Sequence, residues 1–252
     1  MDASDQTDGT QRPESAYCGA AQATTYSGST TLVTGNAKFN YRNLDWTSGS
    51  CTGLCGNPRN SSLNIPFAEV HVVDASGATI QCGETDESGN YSMTIPRVAG
   101  TYVVHVLSRA MNSNYKASVL EDIYSASPYA IEKTFSNSGA ATISALNLVA
   151  SAQSSVAAKI PGGAFNILAN IFYANKFLRS QTGNPSFVAD KVTILWKAGF
   201  NPYSYYGSPN ALASFFVSSE DRLYILGGKN GDVKNSDTDH FDDSVILHEY
   251  GP

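Results

Sequence analysis

Ile65-Pro66-Phe67-Ala68-Glu69-Val70-His71-Val72-Val73-Asp74 reads as a β-strand, and the residues around it decide the fold of the first half of the chain. Ala75-Ser76-Gly77 is a turn, Thr79-Ile80-Gln81-Cys82 a short strand, and Thr85 to Asn90 a second turn leading into Tyr91-Ser92-Met93-Thr94-Ile95. After Pro96 and Gly100, Thr101 to Leu107 forms a further strand. Upstream, Leu32 to Tyr41 alternates in the manner of a strand; downstream, Ala141 to Val149 reads as the closing one, while Met111 to Ser138 is irregular. Short β-rich runs separated by regular turn signals predict an antiparallel β-sandwich over residues 29–150. Residues 1–28 are polar and without periodicity, which predicts a flexible leader tied down at Cys18.

Three segments carry a resemblance: Ile65-Pro66-Phe67-Ala68, Thr85-Asp86-Glu87-Ser88-Gly89-Asn90-Tyr91, and Ile95-Pro96 through Gly100-Thr101-Tyr102. Together they resemble the carboxypeptidase regulatory-like family, which implies a transthyretin-like (prealbumin-like) β-sandwich serving as a non-catalytic companion. The central turn also has a local rationale. Asp86 suits a turn cap, Gly89 supplies a positive φ, and Tyr91 re-enters the core. His71 and His105, at strand positions, are read as structural.

The second half has a different rhythm. Residues 151–160 are small and polar, as in a linker, and Pro161-Gly162-Gly163 opens a helix whose stripe is Phe165, Leu168, Ile171, Phe172, Phe177 and Leu178. Lys191 to Trp196 and Arg222 to Leu226 read as strands. The chain then reaches Asp242-Asp243-Ser244-Val245-Ile246-Leu247-His248-Glu249-Tyr250-Gly251-Pro252. Asp242, Asp243 and Ser244 suit the N-cap and first turn of a helix, and Val245, Ile246 and Leu247 are expected to bury it under a sheet. A helix carrying His-Glu-x-x-His places two imidazoles one turn apart beside a general base, the arrangement that holds a catalytic zinc.

Asp242 to Gly251 resembles the opening of that motif in secreted gluzincin-type zinc metallopeptidases. The resemblance covers about residues 160–252 and implies a partial α+β metallopeptidase-like domain over 161–252. It makes His248 the first zinc ligand and Glu249 the general base, with a peptide or protein as substrate. The strand at Leu223 to Leu226 is expected to hold that substrate in extended form. At the second His position stands Pro252, which has no side-chain donor for a metal, and the third ligand has no counterpart. The expectation is therefore a zinc metallopeptidase cut within its motif, inactive as it stands, with zinc belonging to the longer parent. The alternative is a non-enzymatic extracellular binding or structural protein with a degenerate peptidase-like domain.

Composition narrows the classes further. The chain has 252 residues, net charge −6 and no Lys/Arg cluster, which argues against nucleic acid and against an anionic membrane surface. No stretch approaches the length of a membrane-spanning helix, and no signal peptide is visible, so a secreted protein has lost it. Cys18, Cys51, Cys55 and Cys82 lie in the Ser/Thr/Asn-rich first third, a pattern of two disulfides made in an oxidising compartment. Three connectivities are open, with Cys51–Cys55 and Cys18–Cys82 preferred. Two loops carry residue types that can bind a ligand. Phe200 to Gly207 is aromatic, but such turns commonly pack on their own domain; Asp232, Asp237, Asp239, Asp242 and Asp243 lack the spacing of a calcium loop and read as solvated acids and caps.

Overall fold

The computed structural model describes residues 14–43, 53–54, 58–124, 126–153 and 160–251. Among the described residues strands predominate over helix, and they form three sheets. In the first, β1 (Thr30–Arg42) is the hub. Its first half pairs antiparallel with β5 (Asn90–Pro96) and its second half with β2 (Pro58–Asn64). Along its opposite edge run β10 (Thr142–Ile143) and β11 (Leu148–Ala150), both parallel to it. The expected closing strand is thus present but interrupted at residues 144–147, where Ala145 takes a left-handed backbone with φ 61°.

The second sheet has the order β4 (Thr79–Glu84), β3 (Glu69–Asp74), β6 (Gly100–Leu107), β9 (Ala130–Asn137), all antiparallel. Alternation selects the inward residues. Val70, Val72, Val104 and Val106 are fully buried and join Val33, Tyr91, Met93 and Ile95 of the first sheet in one apolar cluster. The turn between β4 and β5 is built as its residues require. Asp86 Oδ1 accepts from the backbone N–H of Ser88 and Asn90, each at 2.8 Å, Gly89 has φ 78°, and Tyr91 is buried. A side chain at Gly89 would run into the Ala37 carbonyl.

The third sheet is mixed, in the order β13 (Phe215–Val217), β14 (Arg222–Ile225), β12 (Val192–Trp196), β8 (Lys116–Leu120), β7 (Arg109–Met111). Its middle three strands are parallel and both edges antiparallel. Hydrogen bonding does not follow the expected division at residues 151–160. β7 and β8 come from the stretch between β6 and β9, yet β8 pairs with β12 from Val192↔Ala117 to Leu195↔Leu120. Residues flanking the expected linker are anchored as well. Ala152 and Ile160 are buried, and the Arg42 guanidinium donates to the Ala152 carbonyl at 3.1 Å.

Helix α1 (Pro161–Thr182) begins with proline, whose missing N–H costs nothing there, and ends on Gly183 in the left-handed conformation. It packs against β1 and β8, so from Gly162 to Phe172 it is buried on all sides. Phe165, Leu168, Ile171 and Phe172 face the core as expected; Phe177 does not, and is 62% exposed. Of the leader, residues 17–26 are laid along the β4 edge, while Glu14, Ser15 and Ala16 meet Arg109, Ser118 and Lys191. Cys18 is disulfide-bonded to Cys82, and Thr24 and Gln81 exchange hydrogen bonds of 2.7 and 2.9 Å. The other expected pair, Cys51 with Cys55, lies outside the described residues. Among the described residues no helix is long and apolar enough to cross a membrane.

Candidate active-site helix

The last helix, α2 (Asp243–Tyr250), starts where the sequence places it. Asp242 is the N-cap: its Oδ1 accepts from the backbone N–H of Ser244 at 3.0 Å and Val245 at 3.2 Å, satisfying two of the donors a helix start leaves open. At the other end the Gly251 N–H donates to the Leu247 carbonyl at 3.0 Å. Burial is less than the apolar run suggests. Ile246 alone of the helix is fully buried, while Leu247 is 39% exposed.

An amide ladder on α1 supplies the rest of the anchorage. Asn166 and Asn170, one turn apart, both donate through Nδ2 to Asp243 Oδ1, at 3.0 and 2.9 Å. Further along α1, Asn175 donates to the Tyr250 hydroxyl at 3.0 Å. All three asparagines are buried, so each bond replaces water the amide has lost. They are spaced at four and five residues in an otherwise apolar helix, and that pattern was the available signal for a polar seam.

The approach to α2 is fixed to the third sheet. Ser214 Oγ donates to Asp239 Oδ2 at 2.6 Å and accepts from the Leu226 N–H at 2.9 Å; the Asp239 N–H donates to the Leu226 carbonyl at 2.9 Å. Burial first, then the nearby Asp237 and Asp242 charges, push the Asp239 carboxyl up to about 6 against the Ser214 hydrogen bond. His240 follows. Its ring is fully buried between Trp196 and Phe241, with centroids 4.8 and 4.9 Å away, and neither ring nitrogen has a hydrogen-bond partner. Burial holds this imidazole down at about 3.

On this support His248 is exposed and Glu249 half-exposed, on consecutive residues of the last turn of α2. The residue one turn on from His248 is Pro252, outside the described residues. A catalytic zinc takes three protein ligands and an open position. Among the described residues no three His, Cys, Asp or Glu side chains stand together as a metal-holding group. His248 is one ligand of such a set, and Glu249 beside it has the chemistry of a base. One donor does not make the site.

Two further expectations meet the structure differently. β14 has no free edge for an extended substrate, because β12 pairs with one side of it and β13 with the other. The exposed edge belongs to β13. The bond from Thr193 N–H to the Asp221 carbonyl shows that Arg222 and Tyr224 turn their backbone groups toward β13, so Phe216 directs its own away from the sheet. The aromatic loop packs on its own fold: Tyr203 meets Phe215 at 4.4 Å, Phe200 meets Tyr205 at 4.9 Å, and Tyr206 meets Tyr224 at 5.7 Å. Two of the weighed aspartates are caps, with Asp232 closing a turn onto the Lys234 and Asn235 N–H groups and Asp242 starting α2.

No protein-family model matches the chain, and no curated protein matches it.

Proposed function

We propose that the chain carries the active-site helix of a secreted zinc metallopeptidase, preceded by a transthyretin-like companion sandwich. His248 is the first zinc ligand in this reading and Glu249 the base that takes a proton from the attacking water. The observation that carries it is the stance of α2. An N-capped helix is pinned to α1 through Asp243 and Tyr250 and buries Ile246, and it leaves His248 and Glu249 on its outer side. α2 also lies against β13 and β14, and the free backbone of Phe216 suits an extended peptide added at that edge. The Cys18–Cys82 disulfide suits an oxidising compartment.

The test is peptide cleavage by the protein purified from its source, followed with a library of internally quenched peptides. Cleavage that stops with a chelator, and a Glu249→Gln variant at least about a hundredfold slower, are expected. A second reading is favoured by one observation: the described residues assemble no three-ligand group. A non-enzymatic extracellular scaffold is then the conclusion, and a source protein that cleaves no peptide with or without added zinc would establish it.

A further inference from the structure

The outward face of the second sheet carries a row of side chains in direct register across all four strands: Cys82, His71, His105, Glu132. Cys82 is committed to its disulfide. His71 and His105 are directly opposite one another on β3 and β6, and Glu132 is directly opposite His105 on β9. Cross-strand partners of this kind have Cβ atoms about 5 Å apart on the same face, a separation from which two imidazoles reach one ion at about 2 Å each. The side chains retain contact with solvent, at 17% for His71, 24% for His105 and 67% for Glu132.

His71 is already oriented. Its Nε2 is hydrogen-bonded to Glu69 Oε1, and Glu69 is fully buried, held at 2.5 and 2.9 Å by Nε and Nη2 of Arg109 and at 2.9 Å by the Cys18 N–H. A carboxylate paired with the Arg109 guanidinium accepts, so His71 donates through Nε2, and Nδ1 is the ring nitrogen left to face an ion. A metal-ligating histidine whose second nitrogen donates to a carboxylate is the usual support of such a ligand.

We propose that His71, His105 and Glu132 form a surface binding site for a divalent transition-metal ion of the zinc or copper class, separate from the His248 helix. Two imidazoles and a carboxylate suit these ions and disfavour calcium or magnesium. The donor atoms are not gathered around one point as they stand. Glu132 Oε2 is 3.6 Å from His105 Nδ1, and on an exposed edge strand it is free to swing toward an ion.

Zinc chloride alone is the probe, titrated into the full 252-residue chain by calorimetry, with native mass spectrometry for stoichiometry. His71→Gln, His105→Gln, Glu132→Gln and His248→Ala variants are compared, and their circular dichroism is recorded to confirm folding. The expected result is one bound zinc that survives His248→Ala, weakens at least about tenfold in Glu132→Gln, and is lost in either histidine variant. Imidazole nitrogen shifts of His71 and His105 on adding zinc read the same ligation without any substitution. Unchanged zinc affinity in both histidine variants, or shifts confined to His248, would overturn the proposal. The second outcome would leave the active-site reading standing.

Discussion

Replacing His240 with phenylalanine isolates a buried, unpartnered imidazole whose protonation the fold resists. The ring lies between Trp196 and Phe241 with both nitrogens unsatisfied, and burial brings it from an ordinary 6.5 to about 3. A depressed base is neutral in the folded chain and protonated in the unfolded one between those values. Its contribution is therefore fully present above pH 6.5 and is lost as pH falls toward 3. At about 1.4 kcal/mol per pH unit the whole gap is worth roughly 5 kcal/mol, of which about 2 kcal/mol is lost by pH 5. Asp239 acts in the opposite sense. With its carboxyl raised from 3.8 to about 6, it adds stability below pH 3.8 that disappears as pH rises through 6. Its gain on going from pH 8 to pH 5 is about 1.4 kcal/mol, which offsets about two-thirds of the His240 loss there. The informative quantity is the difference between native and His240→Phe chains in urea-unfolding free energy, followed from pH 8 to pH 5. Phenylalanine keeps a ring in the stack and removes the titration, and the difference should shift by about 2 kcal/mol in favour of the variant at pH 5. A difference independent of pH would refute the assignment of a buried neutral imidazole.

Three smaller perturbations probe the supports of α2 and the leader. Asp242→Ala removes the acceptor for the Ser244 and Val245 N–H groups and is expected to cost about 1 kcal/mol, read as a lower thermal midpoint. Asn170→Ala leaves Asp243 with Asn166 as its remaining α1 donor; a loss of about 1–3 kcal/mol in urea unfolding is expected, together with faster amide exchange in α2. Serine at both Cys18 and Cys82 opens a loop with a sequence separation of 64, for which chain entropy gives up to about 4 kcal/mol. Adding a reductant to the native chain should lower its stability by at least as much.

What could be read from the chain alone follows from which signals are local. The turn at Asp86–Gly89, the start of α1 at Pro161, its end at Gly183 and the Asp242 cap all depend on neighbouring residues, and each is found where the residues place it. β8 and β9 were hidden in a stretch that reads as irregular. β9 is an edge strand that buries only Ile131, Phe135 and Asn137, and β8 is five residues long, buried from Ala117 to Leu120, with the polar Ser118 breaking its apolar run. Pairing between β8 and β12 joins residues more than seventy positions apart, and neither strand carries a mark of the other. Phe177 belongs to the stripe by period but lies beyond the part of α1 that is covered. At the candidate site, His248, Glu249 and the cap were legible; the amide ladder from Asn166 to Asn175 was not, because asparagine in a helix more often signals a solvated face.

In the proposed function α2 presents a zinc ligand, His248. Native mass spectrometry of the source protein, alongside its His248→Ala variant produced in the same form, tests this most directly. Loss of one zinc per chain together with loss of peptide cleavage is the expected result. Equal zinc content and equal cleavage in the two proteins would contradict it.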